Sequence, residues 1–125
     1  MKTVLEVVWR CSGRQMNLDE ALHAVSREVD ARWRPGDLVG KRARTEAGFN
    51  VLVGRAEGWS RMFELIQGFV RDSGPEILAV AALGGSSELD VGVLSEPEER
   101  QALFPASLMR DLSALSVDLR ISWYL

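Results

Sequence analysis

The sequence predicts an α+β fold in a single domain (residues 1–125), a mixed, mostly antiparallel sheet with helices packed on it. Apolar residues recur at every second position in some segments, which indicates strands, and three or four apart in others, which indicates helices. The two kinds of segment alternate along the chain. A length of 125 residues, 46% of them hydrophobic, suits one soluble domain with one core.

The first strand is predicted over Val4–Cys11, because Leu5, Val7, Trp9 and Cys11 share one face. Asn17 and Glu20 have the spacing of a capping box, with Asn17 in place of the usual serine or threonine. The apolar spacing after Asn17 predicts a helix over Leu18–Asp30.

A turn is predicted at Trp33–Asp37, since Pro35 and Gly36 occupy the second and third positions of a type II turn. Phe49–Arg55 alternates and is interpreted as a strand. Leu38–Arg44 has a weaker pattern and is interpreted as an edge strand paired with it.

The second helix is predicted to open at Gly58-Trp59-Ser60, with Ser60 as its N-cap, and to end at Gly74-Pro75. Its apolar stripe consists of Met62, Phe63, Ile66, Phe69 and Val70.

Ile77–Leu83 is a long run without a polar residue, as expected of a strand covered on both faces. The segment Gly84–Ser87 has turn chemistry, and Leu89, Val91 and Val93 then alternate with more polar residues. We therefore predict a central β-hairpin made by these two strands.

The acidic segment Glu96–Gln101 is expected to be a loop or a short helical turn, and Pro105 to be the first residue of a third helix. Val117–Leu125 alternates and predicts a final strand. The first six predicted elements have the β-α-β-β-α-β order of ferredoxin-like domains, and the rest form a β-α-β extension.

With these elements in place, the chain resembles a family of small bacterial domains, number four-two-seven-nine in the domain-of-unknown-function series. The matching motifs are the helix start Asn17-Leu18-Asp19-Glu20, the Trp33–Asp37 turn, the helix led by Trp59, Gly84-Gly85 after an apolar run, and the ending Pro105–Tyr124. The resemblance spans nearly the whole chain and brings no catalytic residues. Similar domains occur in toxin–antitoxin neighbourhoods, which implies an immunity-type role.

Catalytic chemistry is not indicated by the residues. Cys11 is the only cysteine and His23 the only histidine, so neither a metal site nor an oriented nucleophile–base pair is expected. Gly84-Gly85 lacks the lysine and the following helix of a phosphate-binding loop. We expect no cofactor, no bound metal and no enzymatic activity.

Two charged segments are the candidate binding surfaces. The acidic strip consists of Glu88, Asp90, Glu96, Glu98 and Glu99. The recognition loop consists of Trp33, Arg34, Asp37, Lys41, Arg42 and Arg44. Each also has a structural interpretation, in which the charges solubilise the surface, Trp33 covers the core and Asp37 bonds the backbone of its own turn.

Together with the family resemblance, these observations predict a cytoplasmic protein-binding module. The resemblance implies its specific form, an immunity protein that occludes a cognate toxin. The alternative is a small-ligand-binding or enzymatic ferredoxin-like domain. The single cysteine agrees with a reducing compartment. The net charge of −3 is too mild to select nucleic acid, and only Trp33 and Phe49 are aromatic residues near the basic segment, with Phe49 expected to be buried. No apolar run reaches the roughly 20 residues of a membrane span.

Overall fold

The computed structural model of the chain describes residues 3–98 and 101–124. Within these ranges the helices are α1 (Leu18–Ala24), α2 (Trp59–Ala82) and α3 (Ala106–Ala114). The strands are β1 (Val4–Gly13), β2 (Ala31–Trp33), β3 (Leu38–Val39), β4 (Arg42–Ala43), β5 (Ala47–Glu57), β6 (Ser86–Val93) and β7 (Asp118–Trp123). The predicted α+β class is confirmed.

Five strands form one sheet in the order β2-β5-β1-β6-β7, and β3 pairs with β4 in a separate small sheet. The central strand β1 is antiparallel to both neighbours, β5 and β6, whereas β7 runs parallel to β6. The main-sheet strands and the helices follow the order β1-α1-β2-β5-α2-β6-α3-β7, one strand fewer than predicted. Two of the first six predicted elements, the strands over Leu38–Arg44 and Ile77–Leu83, are not strands of this sheet. The β3–β4 hairpin is inserted after β2, and α3 with β7 forms the β-α-β extension.

The helices cover one face of the five-stranded sheet, and the core lies between them and the sheet. Trp9 is fully buried there, its ring centroid 5.3 Å from that of Phe49 and 5.6 Å from that of Phe69. Its indole Nε1 donates a hydrogen bond to Ser87 Oγ at 2.9 Å, so the polar atom of a buried ring is satisfied. The buried residues also include Val53, Val80, Val91, Phe63, Ile66 and Leu112.

The prediction of a strand over Ile77–Leu83 is wrong, because residues 77–82 are the last part of the 24-residue helix α2 and Leu83 is its C-cap. The helix passes through Pro75, which has no N–H to donate to the carbonyl of Arg71 and costs about 3 kcal/mol in a helix interior. Ile77 and Val80 are buried one helical turn apart, and burial of each contributes about 1.5–3 kcal/mol. Packing therefore outweighs the local stop signal.

The predicted hairpin turn at Gly84-Gly85 is instead the C-terminal cap of α2. The Gly85 N–H donates to the Val80 carbonyl at 2.9 Å, and the Gly84 N–H to the Ala81 carbonyl at 3.1 Å. This is the Schellman arrangement, in which Gly84 has a φ of 96° that favours glycine. Consequently β6 follows a helix, and it pairs with β1 rather than with the segment directly before it in the chain.

The first helix also differs from its prediction, since it ends at Ala24 rather than at Asp30. The predicted Asn17 cap is confirmed, because the Asn17 side chain accepts a hydrogen bond from the Glu20 N–H at 3.2 Å. Beyond Ala24 the chain is held by α2, with the Ser26 N–H and Oγ both bonded to the Glu76 carboxylate. Contact with another helix thus replaces continuation of this one.

Three smaller predictions are corrected. The N-cap of α2 is Gly58, and Ser60 lies inside the helix. Pro105 is the N-cap of α3 rather than its first residue. Leu38–Arg44 does not form an edge strand against β5; that position belongs to β2, and residues 38–43 fold back on themselves as β3 and β4.

Replacement of the proline inside α2 tests the continuous helix. We expect Pro75→Ala to raise the free energy of unfolding by about 1–3 kcal/mol, because a backbone donor to the Arg71 carbonyl is restored and the ring clash removed. Chemical denaturation measures the change. Gly74→Ala is the control and should add about 0.5–1 kcal/mol, as for any glycine in a helix interior. An unchanged or lower stability for Pro75→Ala would indicate a turn at this position.

Candidate functional site

The sheet face opposite the helices, called the open face below, carries paired charges. Residues that lie across from each other on neighbouring strands place acids beside arginines there. Among the described residues, three ion pairs cross between strands: Arg55–Glu6 at 2.6 Å, Arg10–Asp90 at 3.2 Å, and Arg120–Glu88.

These pairs change the interpretation of the acidic strip. Asp90 is only 5% exposed, and its carboxylate accepts hydrogen bonds from Arg10 Nε and from Ser122 Oγ at 2.7 Å. Glu88 is half-buried beside Arg120, and its hydrogen bond raises the pKa of that guanidinium. Both acids therefore form ion pairs within the sheet. Because Asp90 is buried, the expectation that it faces solvent is wrong.

The rest of the acidic strip lies in the loop between β6 and α3. Glu96 and Glu98 are exposed, and the backbone N–H of Glu98 donates to Thr3 Oγ1 at 3.0 Å. Glu99 lies outside the described residues. The strip is therefore divided between an open face with paired charges and a separate loop.

The recognition loop is anchored by Trp33 and Arg44. The Arg44 guanidinium lies 4.3 Å from the centroid of the Trp33 ring, a cation–π contact. The ring also packs closely over Gly48, where any side chain would collide with it. Trp33 is half-buried, which agrees with the structural interpretation that it covers the sheet.

Hydrogen bonds fix the base of the same loop. The Asp37 carboxylate accepts from the Arg34 N–H at 2.7 Å, and the Asp37 N–H donates to the Arg34 carbonyl at 3.1 Å. The Arg44 N–H donates to the Asp37 carbonyl at 2.7 Å, and Arg34 Nη2 lies 2.6 Å from Asp19 Oδ1. Gly36 has a φ of 95°, as the third residue of a type II turn requires.

From this base, residues 37–44 project as a β-hairpin, here called the arm, whose first and last residues make the base contacts. Leu38 is 74% exposed and Val39 51% exposed, a high value for apolar side chains in neighbouring positions. Lys41 and Arg42 are exposed and make no ion pair with another described residue. Gly40, with a φ of 63°, takes the first of the two hairpin-turn positions, a glycine signal that the sequence interpretation overlooked.

Two cavities in the described part of the chain are small. One of about 220 Å³ on the open face is bordered by Arg10, Asp90 and Tyr124, and another of about 220 Å³ by Trp59, Phe104 and Trp123. Both fall below the roughly 300–1,000 Å³ of typical ligand pockets. A wider, open depression of about 630 Å³ lies between β5 and the start of α2.

Cys11 and His23 do not form a catalytic pair. Cys11 is buried on the helix-facing side of β1, next to Met16 and Gly85, whereas His23 is exposed on α1. Burial raises the pKa of the Cys11 thiol to about 11, although a hydrogen bond with Ser87 acts in the opposite direction. A protonated, covered thiol is a poor nucleophile at neutral pH.

Comparisons with models of protein families, with curated proteins and with solved structures found no match for this chain. Among the described residues, none of the helices has the length and apolar character needed to cross a bilayer. In the same ranges, no three histidine, cysteine, aspartate or glutamate side chains are grouped closely enough to hold a metal ion.

The buried thiol makes a prediction about alkaline pH. The pKa of Cys11 is about 11 in the folded chain against an ordinary value of 9.0, so the folded state favours the protonated form. The resulting stabilisation is complete below pH 9 and is lost as the pH rises towards about 11. Over that interval, we expect the wild type to lose about 2–3 kcal/mol more unfolding free energy than Cys11→Ala. Parallel denaturation curves at each pH give the difference, and equal losses in both proteins would contradict the assignment.

Proposed function

We propose that this chain is a protein-binding module, of the immunity type that the family resemblance implies, and that the arm is its main contact with a cognate toxin. The observation that carries the choice of surface is the exposure of Leu38 and Val39 at the end of an ordered hairpin. The family resemblance alone supports the toxin as partner.

The first support is that the arm is preorganised. Its base is held by the Asp37 hydrogen bonds, the Arg34–Asp19 ion pair and the Arg44–Trp33 contact. An ordered loop loses less conformational entropy on binding than a mobile one, so more of the contact energy contributes to affinity.

The second support is the chemistry of the arm. Val39 and Arg42 are cross-strand partners, as are Leu38 and Ala43, so an apolar strand lies beside a cationic turn and strand in the hairpin. Such a surface fits a partner that presents carboxylates around an apolar depression. Occlusion by the arm therefore suits a toxin whose cleft is acidic, whereas occlusion by the acidic strip would require a basic one.

Nucleic acid is a poorer fit for the arm. Single-stranded nucleic acid binds where bases can stack on exposed aromatic rings. The Trp33 ring at the base of the arm is already covered by Arg44 and packed against Gly48.

The alternative, a small-ligand-binding or enzymatic ferredoxin-like domain, is less well supported. The strand and helix order agrees with that description, but a ligand site needs several polar groups that converge in a cleft. The aromatic cavity between Trp59 and Trp123 has Gln101 as its polar side chain. In the open-face cavity, Arg10 and Asp90 are already bonded to each other.

Quantitative capture from a nuclease-treated lysate of the native host, using immobilised wild type and matched variants, tests the proposal. We expect the wild type to retain a specific protein. The amount retained should fall strongly for the double variant Leu38→Ser with Val39→Ser, and likewise for Lys41→Glu with Arg42→Glu. These residues are exposed, so stability should change by no more than about 0.5 kcal/mol, which circular dichroism and denaturation can verify. Binding of the purified partner then gives affinities at low and high salt.

The matched control is the triple reversal of Glu96, Glu98 and Glu99 to lysine. If the arm is the contact, this variant binds the partner within a fewfold of wild type. If binding is lost with the triple reversal and kept with the arm variants, the acidic strip is the contact and the arm is not. Expression of the partner's gene alone should slow growth, and co-expression of the wild-type chain should restore it. A partner that does not slow growth would contradict the immunity-type role but not the protein-binding module.

A further inference from the structure

The outer edge of β7 is not paired with any other described strand. It is an end strand of the five-stranded sheet, and among the described strands only β6 pairs with it. Leu119 and Ile121 on its helix-facing side are half-buried, whereas their partners Leu89 and Val91 on β6 are fully buried. The strand has neither a proline nor a bulge to block further pairing.

The backbone groups that point outward can be assigned. The Tyr124 N–H donates to the Val93 carbonyl at 3.0 Å, so residue 124 directs its backbone towards β6. Backbone direction alternates along a strand, hence Asp118 and Arg120 also bond inward. Leu119 and Ile121 therefore direct their N–H and C=O groups away from the sheet.

The sequence of this edge is complementary to itself. Residues 117–121 read Val-Asp-Leu-Arg-Ile, an apolar–acidic–apolar–basic–apolar order. When two copies run antiparallel with Leu119 opposite Leu119, Val117 lies opposite Ile121 and Asp118 opposite Arg120. Both charge contacts are then favourable, and they fall at non-hydrogen-bonded positions, where side chains approach most closely.

We propose that β7 is a homodimerisation edge, through which two copies of this chain join their sheets with Leu119 opposite Leu119. Four hydrogen bonds form across the two-fold axis, two between the Leu119 residues and two from Ile121 N–H groups to Val117 carbonyls. Asp118, which has no ion pair with another described residue, gains the Arg120 of the second copy. That arginine then lies between Asp118 of the other copy and its own Glu88.

In other registers the outward N–H and C=O groups of the two copies still face each other, but Asp118 no longer lies opposite Arg120. A shift of one residue in each copy places Arg120 opposite Arg120, and like charges directly opposite each other are destabilising. A further shift places Ile121 opposite Ile121 and Asp118 opposite Tyr124, with no opposite charges in contact. Charge complementarity thus selects one register and makes the proposal specific.

Cross-linking tests the register. Leu119→Cys should form an intermolecular disulfide under mild oxidation, because hydrogen-bonded antiparallel partners have Cα atoms about 5.5 Å apart, within disulfide range. Ile121→Cys is the control, since its two copies would be roughly 13 Å apart. The native Cys11 is buried and does not compete. A cross-link for Ile121→Cys that is as fast as for Leu119→Cys overturns the register.

Sedimentation equilibrium tests the dimer itself. We expect a concentration-dependent dimer for wild type and a dissociation constant raised about tenfold or more by Asp118→Arg, because two attractive charge contacts become repulsive. Glu64→Arg, an equal charge change on the exposed side of α2, should leave dimerisation unchanged. A wild type that remains monomeric at all concentrations, or an equal effect of the two substitutions, refutes the proposal.

Discussion

The alternation along β1 is the constraint on which the rest of this structure depends. Strand β1 is hydrogen-bonded to β5 on one side and to β6 on the other, so it fixes the register of the three central strands. Its helix-facing residues are apolar and buried almost completely, with Trp9 at the centre against Phe49 and Phe69. A register slip of one residue would bring Glu6 and Arg10 into the core, at a cost far larger than the stability of a small domain.

This constraint determines where function can reside. Because the three described helices lie on one face, the polar side chains on the other face must pair with one another. Arg10 and Asp90 do so across β1 and β6, although 80 positions separate them in the chain. Two of the predicted contact residues, Glu88 and Asp90, are therefore already paired with arginines of neighbouring strands. The candidate contacts that remain for a partner lie in loops and at strand edges.

The sequence predicted the fold best where burial is one-sided. Strand β1 begins at Val4 as predicted, and the alternation in β5 and β7 was interpreted correctly as strand. The run Ile77–Leu83 has no such pattern, because a uniformly apolar segment suits a covered strand and a buried helix equally. Its alanines favour a helix, but Gly74-Pro75 indicated a stop that only the packing of Ile77 and Val80 overrides.

The sequence predicts which charged residues are candidates for the binding surfaces, but it does not predict which of them form ion pairs with one another. The basic loop and the acidic strip are visible in the sequence, but whether Asp90 faces solvent or Arg10 depends on register. The arm was misinterpreted for a similar reason. Residues 38–43 have strand-like character, and the glycine turn at Gly40 pairs them with each other, while β2 takes the edge beside β5.

The two ends of the sheet are then different kinds of surface. At one end β2 is three residues long and leads into the arm, so little edge is left for another strand. At the other end β7 offers a longer edge with outward backbone groups. If two copies join at β7, neighbouring strands spaced by about 4.8 Å place the two β2 strands roughly 43 Å apart, at the far ends of a ten-stranded sheet. Both arms remain accessible in that arrangement, because neither lies at the shared edge. Dimerisation and partner binding would therefore not compete, and a dimer could hold two partners at once or bind a dimeric partner with the added strength of two contacts.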